Sequence, residues 1–145
     1  MAGVRTYDPS QVIVTVNSIP ISGFTEGTFV EIAREEQSFT KVVGADGLVT
    51  RAKTNNYSGS LTITLKQSSP SNDVLSGLIT LDELTNAGIF TVLVKDLSGN
   101  SVYFSAQAWI RQWPTSTFAR EVTDREWILD LANINLFVGS NGENV

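Results

Sequence analysis

Two carboxylate pairs, Glu35 with Glu36 and Asp124 with Glu126, are the nearest approach in this sequence to an acid and base couple. Glycoside hydrolysis needs such a couple with its carboxyl groups about 5 to 10 Å apart across the scissile bond. Adjacent residues on a strand point to opposite faces, so Glu35 and Glu36 diverge. Asp124 and Glu126 flank Arg125 and read as solvated charge, and no calcium-loop spacing accompanies them. Histidine and cysteine are absent from all 145 residues, which removes the commonest general base, the thiolate nucleophile and the usual transition-metal ligands. There is no phosphate-binding glycine loop and no nucleophile elbow. The sequence thus calls for no catalytic residue, no metal ligand and no cofactor. Trp109, Trp113 and Trp127 could form an aromatic platform for sugar rings, as in a glycan-binding or adhesin module. Packing in a core or an interface is the stronger reading, because Trp127 belongs to an alternating apolar series.

Charge narrows the partners. Fifteen acidic against ten basic residues give a net charge of −5, the wrong sign for gripping phosphate backbones. An acidic surface would instead let DNA pass without adhering, since contact releases no counterions. The opening MAGVRTYDPSQVIVTV lacks the apolar run of a signal peptide, and no segment approaches a membrane span. Cytoplasmic synthesis is the expectation, and the sequon at Asn56, Tyr57 and Ser58 reads as a chance match. With 41% hydrophobic and 17% charged residues, 1–145 reads as a single domain.

The elements that would hold these side chains are mostly strands. Val12, Val14 and Val16 share one face, and NSIPISGF reads as a hairpin into a second short strand. Residues 28–34 continue the sheet. Segments 39–43 and 48–51 flank Gly44, Ala45, Asp46 and Gly47, a tight-turn signal in which glycine accepts positive φ. The polar, amide-rich 51–57 reads as an exposed excursion. In SGSLTITLK, Leu61, Ile63 and Leu65 face the core while Thr62, Thr64 and Lys66 face outward. Ser68, Ser69 and Pro70 announce a helix over about 70–86 that ends before Gly88, with proline at the first helical position. Its apolar stripe is Val74, Leu75, Leu78, Leu81 and Leu84. Segment 89–96 and the alternating Val102, Phe104, Ala106 and Ala108 form a hairpin through Ser98, Gly99 and Asn100. Trp127, Leu129 and Leu131 share a face in the last strand, and the terminal SNGENV reads as frayed. The fold class is mainly β: a two-sheet antiparallel sandwich or barrel with one flanking helix.

Four segments carry a resemblance: SGFTEGTFVEIAREEQSFTKVVG, GADGLVTRAKTNNYSGSLTITLKQSSPSNDVLSGL, KDLSGNSVYFSAQAWI and EVTDREWILD. In this order they resemble the tail tube proteins of contractile-tailed bacteriophages over most of 19–139. The resemblance implies a fold shared with pyocin tubes and the ring protein of type VI secretion. It implies hexameric rings stacked into a tube inside a sheath, with baseplate and tape-measure proteins as further partners and DNA as a passing cargo. A virion tail assembled in the host cytoplasm would be the setting; a bacteriocin or secretion tube keeps the fold and changes the setting. The polar loop at about 44–57, with Asp46, Gly47, Arg51, Lys53, Thr54, Asn55 and Asn56, resembles the loop by which tail tubes reach the adjacent ring, although a solvated loop has the same composition. Thr62 and Thr64, or Ser105 and Gln107, are candidate positions on the channel wall, a pattern that also fits an ordinary outer face.

Overall fold

The computed structural model describes residues 4–140 and the backbone of Glu143–Asn144. Twelve strands surround one helix among the described residues: β1 (Arg5–Thr6), β2 (Val12–Val16), β3 (Ile19–Pro20), β4 (Val30–Arg34), β5 (Phe39–Val43), β6 (Val49–Lys53), β7 (Gly59–Lys66), α1 (Ser71–Thr85), β8 (Phe90–Asp96), β9 (Val102–Gln112), β10 (Asp124–Leu131), β11 (Asn135–Phe137) and β12 (Glu143–Asn144). Eight of them form one antiparallel sheet in the order β3-β2-β8-β9-β10-β7-β4, with β11 beside β9.

The long β9 joins the two halves of that sheet. Its first part pairs with β8 and β11, and its last part pairs with β10. The halves enclose a core in which Val14, Val16, Leu61, Ile63, Leu65, Val92, Leu129, Leu131 and Ile134 are all but sealed from solvent. Each such side chain contributes about 1.5–3 kcal/mol through burial. Trp127 lies among them, its indole N–H donating to Asn72 Oδ1 at 2.9 Å, so its polar edge is satisfied.

Local chemistry accounts for the turns. Asn17 and Ser18, both at positive φ (52° and 64°), make the two-residue turn between β2 and β3, the geometry that matches strand twist. At the start of α1, Pro70 occupies the N-cap and not the first helical position; the Ser69 hydroxyl accepts from the Ser71 N–H at 3.2 Å in its stead. Asn86, at φ 59°, closes the helix in the left-handed conformation. The helix buries Leu75 and Ile79 and half-buries Leu78, whereas Leu81 and Leu84 are exposed, so the apolar stripe is shorter than the leucine spacing suggests. The last turn keeps to the end of β9 through Glu83, which accepts from the Trp113 indole N–H, and periodicity alone carries no information about which face a neighbour covers.

A second correction concerns β9. Phe90 pairs with Ala108 and Val92 with Ser105, so three steps on β9 face two on β8. This bulge turns both Ala106 and Gln107 outward and Ser105 inward, which breaks the alternation read through Phe104, Ala106 and Ala108. The fraying expected of the tail falls partly on Asn141, Gly142 and Val145, outside the described residues, while Glu143–Asn144 pair with Arg5–Thr6.

Candidate assembly surfaces

Two surfaces carry the assembly residues singled out from sequence, and a third joins them in the structure. The first is a four-stranded wall, β4-β7-β10 and the end of β9. Across it the register aligns Glu31, Thr62, Ile128 and Gln112 in one row, and Ala33, Ser60, Asp130 and Trp109 in the next. Leu61, Ile63 and Leu65 point to the core, so the row between them must point away. The wall therefore has an apolar inner face and a polar outer face rich in carboxylates, with Glu31, Asp124, Glu126 and Asp130 against Lys66 and Arg111. A second bulge, between Ile128 and Leu129, frees Arg111 to donate to Asp130 at 2.6 Å and to approach Glu35 at 3.8 Å. The bond to Asp130 holds the Arg111 guanidinium above its ordinary range, so this outer face is tied across its strands by a permanent charge.

Thr62 and Thr64 lie on that outer face. Ser105 does not: it is 1% exposed and its hydroxyl donates to the Gln107 carbonyl at 3.1 Å. Gln107 is exposed and in phase with Trp109, and its carbonyl accepts from the Ala132 N–H at 2.9 Å just beyond β10. The bulge is the physical reason that the two do not share a face.

The second surface is the β5–β6 hairpin, inserted where β4 leads into β7. Asp46 and Gly47 make its tip, with the Leu48 N–H donating to Asp46 Oδ1 at 3.1 Å and Gly47 at φ 87°. Every residue of both strands is exposed, including Val42 at 71%. Arg51 and Lys53, read from sequence as loop residues, are strand residues of this arm. Lys41 pairs with Arg51, Phe39 with Lys53 and Val43 with Val49, so these six share a face. The alternation in 49–53 was hidden by its polarity, because neither face meets a core. Only 54–58 is a loop: Thr54 donates its N–H to Ser38, and Asn56 Oδ1 accepts from the Ser58 N–H at 3.0 Å, an Asx turn. At the root, Arg34 donates to the Ile134 carbonyl at 2.9 Å and stacks 4.9 Å over Tyr57.

The third surface is the opposite end of the wall, made by 113–123 and 23–28. Sequence reasoning missed it. Arg125, flanked by the exposed Asp124 and Glu126, is itself buried; it donates to the Thr117 and Asp124 carbonyls and to Thr123 Oγ1, and stacks 5.2 Å from Phe118. It thereby pins a loop that exposes Phe118 and Val122. Its position in phase with Trp127 and Leu129 was the available signal. Thr25 Oγ1 donates to Asp124 Oδ2 at 2.9 Å and ties the other segment to the same end. The tryptophans form no flat platform: Trp127 is 2% exposed, and the Trp113 ring is tilted 47° from it.

The comparisons agree with this architecture. Residues 15–139 match the family model described as the Bacteriophage PhiTE tail tube protein. The structural protein ORF10 of Pseudomonas phage KPP10 is 37% identical over 97% of this chain and 87% of its own length. Among solved structures, the cap that terminates the tube of the anti-feeding prophage superposes with a TM-score of 0.66 at 11% identity, covering 94% of each chain. A chain of the extended sheath-tube complex of an extracellular contractile injection system gives 0.62 at 12% identity, covering 91% of each. Those two likenesses are of fold. On the family match and the phage relative, the chain belongs to the Bacteriophage PhiTE tail tube protein family and is a structural protein of the phage tail.

Proposed function

We propose that the protein forms hexameric rings that stack into the inner tube of a contractile tail and conduct DNA. The observation that carries this reading is the four-stranded wall. Among the described residues β4 pairs with β7 alone, and the last residues of β9 pair with β10 alone, so the wall has a free edge on each side. A free edge is normally blunted or covered. Here edge-to-edge pairing of copies would close the walls into one barrel, with Thr62 and Thr64 facing the bore and the apolar face in each subunit's core.

The outer carboxylates Glu31, Asp124, Glu126 and Asp130 would then give the bore a negative lining. Such a lining repels phosphate and lets DNA move without sticking. The arm from Phe39 to Lys53, with Asp46, Gly47 and Arg51 and the adjoining Thr54, Asn55 and Asn56, would reach the adjacent ring. Sheath, baseplate and tape-measure proteins are the further partners, and assembly takes place in the host cytoplasm. The neighbouring solved proteins belong to tube terminators and a sheath-tube complex, which supports the sheath assignment.

Negative-stain microscopy of the purified protein tests the assembly: rings or tubes are expected. Monomers at every concentration would contradict it.

A further inference from the structure

The arm differs in charge from the rest of the chain. The arm from Phe39 to Lys53 holds three of the ten basic residues of the chain and one of the fifteen acidic ones; the remainder carries seven basic and fourteen acidic. Lys41, Arg51 and Lys53 lie on one face of the arm, and among the described residues no carboxylate ion-pairs with them. Phe39, Val43 and Val49 complete that face, all exposed. A two-stranded ribbon is at best marginally stable in water on its own. A basic, apolar ribbon attached to an acidic body is therefore a surface made to be covered by something acidic.

The opposite end of the wall has the matching chemistry. Glu26, Glu121 and Asp124 gather there, with Glu126 one step further in, against Lys66, Arg120 and the buried Arg125. All four acids are exposed, and Glu26, Glu121 and Glu126 make no ion pair among the described residues. Phe118 and Val122 lie on the loop that carries Glu121. The connection order puts the arm at the end of β4 and the start of β7, whereas Asp124 pairs with Lys66 at the other end of the same strands. Head-to-tail contact between copies is the arrangement that brings one end against the other.

We infer that the basic face of the arm, Lys41, Arg51 and Lys53, docks on the acidic end of a second copy, at Glu26 and Glu121, and that this charge pairing sets ring polarity. The inference rests on the stacking role proposed above. Like ends repel, so a ring cannot add upside down, and the pairing selects direction more than it supplies affinity.

Charge exchange tests it, with ring formation and tube length read separately by electron microscopy. Lys41→Glu, Arg51→Glu and Lys53→Glu together should leave rings intact and shorten tubes at least about tenfold. Glu26→Lys with Glu121→Lys should do the same, and all five changes in one chain should restore tubes. Neutral Lys41→Gln, Arg51→Gln and Lys53→Gln give a milder arm variant should the reversal misfold. Wild-type tubes assembled at about 1 M salt, where the screening length shrinks from about 10 to 3 Å, should contain rings added in the reversed orientation that are absent at about 0.1 M. Normal tubes from the arm variants, or failure of the five-fold exchange to restore them, would overturn the pairing; so would loss of DNA retention alone, which would assign the arm to DNA. Absence of rings from the wild type would instead reject the proposed function.

Discussion

The β5–β6 arm and the β7–β10 pair are both antiparallel ladders with alternating sequences, yet one has no buried residue and the other buries every second one. In β7 the inward positions are Leu61, Ile63 and Leu65, all of one kind. In the arm one face mixes Phe39, Lys41 and Val43 with Val49, Arg51 and Lys53. A uniform face is made for a core that is always present. A mixed face of apolar and charged groups suits a partner that arrives later, because it must stay soluble alone and still adhere when met. The contrast separates the part of the chain that folds from the part that assembles.

Substitutions should split along the same line. Trp127→Ala would leave a cavity between β7, β10 and α1 and orphan Asn72; it should cost about 3–5 kcal/mol, measured by chemical denaturation, and a loss under about 1 kcal/mol would mean that the core is not centred there. Gly59→Ala comes next. A Cβ at Gly59 would lie 2.2 Å from Ile134 Cδ1 and 2.3 Å from the Ala33 carbonyl oxygen, so β4 or the backbone must shift. The expected loss is about 1–3 kcal/mol. Gly47→Ala meets open space but must hold φ at 87°. It should cost the arm about 1 kcal/mol of local strain and leave the global unfolding midpoint in place. Smallest of all in folding terms, replacing the arm with a short glycine linker should change monomer stability by no more than about 0.5 kcal/mol while abolishing tubes. A cooperative loss of fold in that variant would show the arm to be part of the core.

Much of this division was legible in the sequence. The faces of β2, β7 and β10 follow from strict alternation of large apolar residues, and the arm's tip from Asp-Gly. The bulges in β9 were not legible, since Ala106 and Gln107 differ too little from the neighbouring pattern to mark an extra residue. That one insertion moved Ser105 from the outer face to the core side. Arg125 was passed over beside Asp124 and Glu126, although it lies in the apolar phase and its five donors let a buried guanidinium organise a loop. Arg51 and Lys53 were taken for loop residues because a strand without a buried face has no hydrophobic signature. In each case the missing information was a partner: a bulge, a loop or a second copy.

The central claim is that the open wall β4-β7-β10-β9 is completed by sister subunits. A cryo-EM reconstruction of the assembled protein tests it most directly. The free edge of β4 should hydrogen-bond to the end of β9 in the next copy, with Thr62 and Thr64 exposed to the bore among the carboxylates of the same face. A bore lined by other strands, or lined chiefly by arginine and lysine, would contradict it.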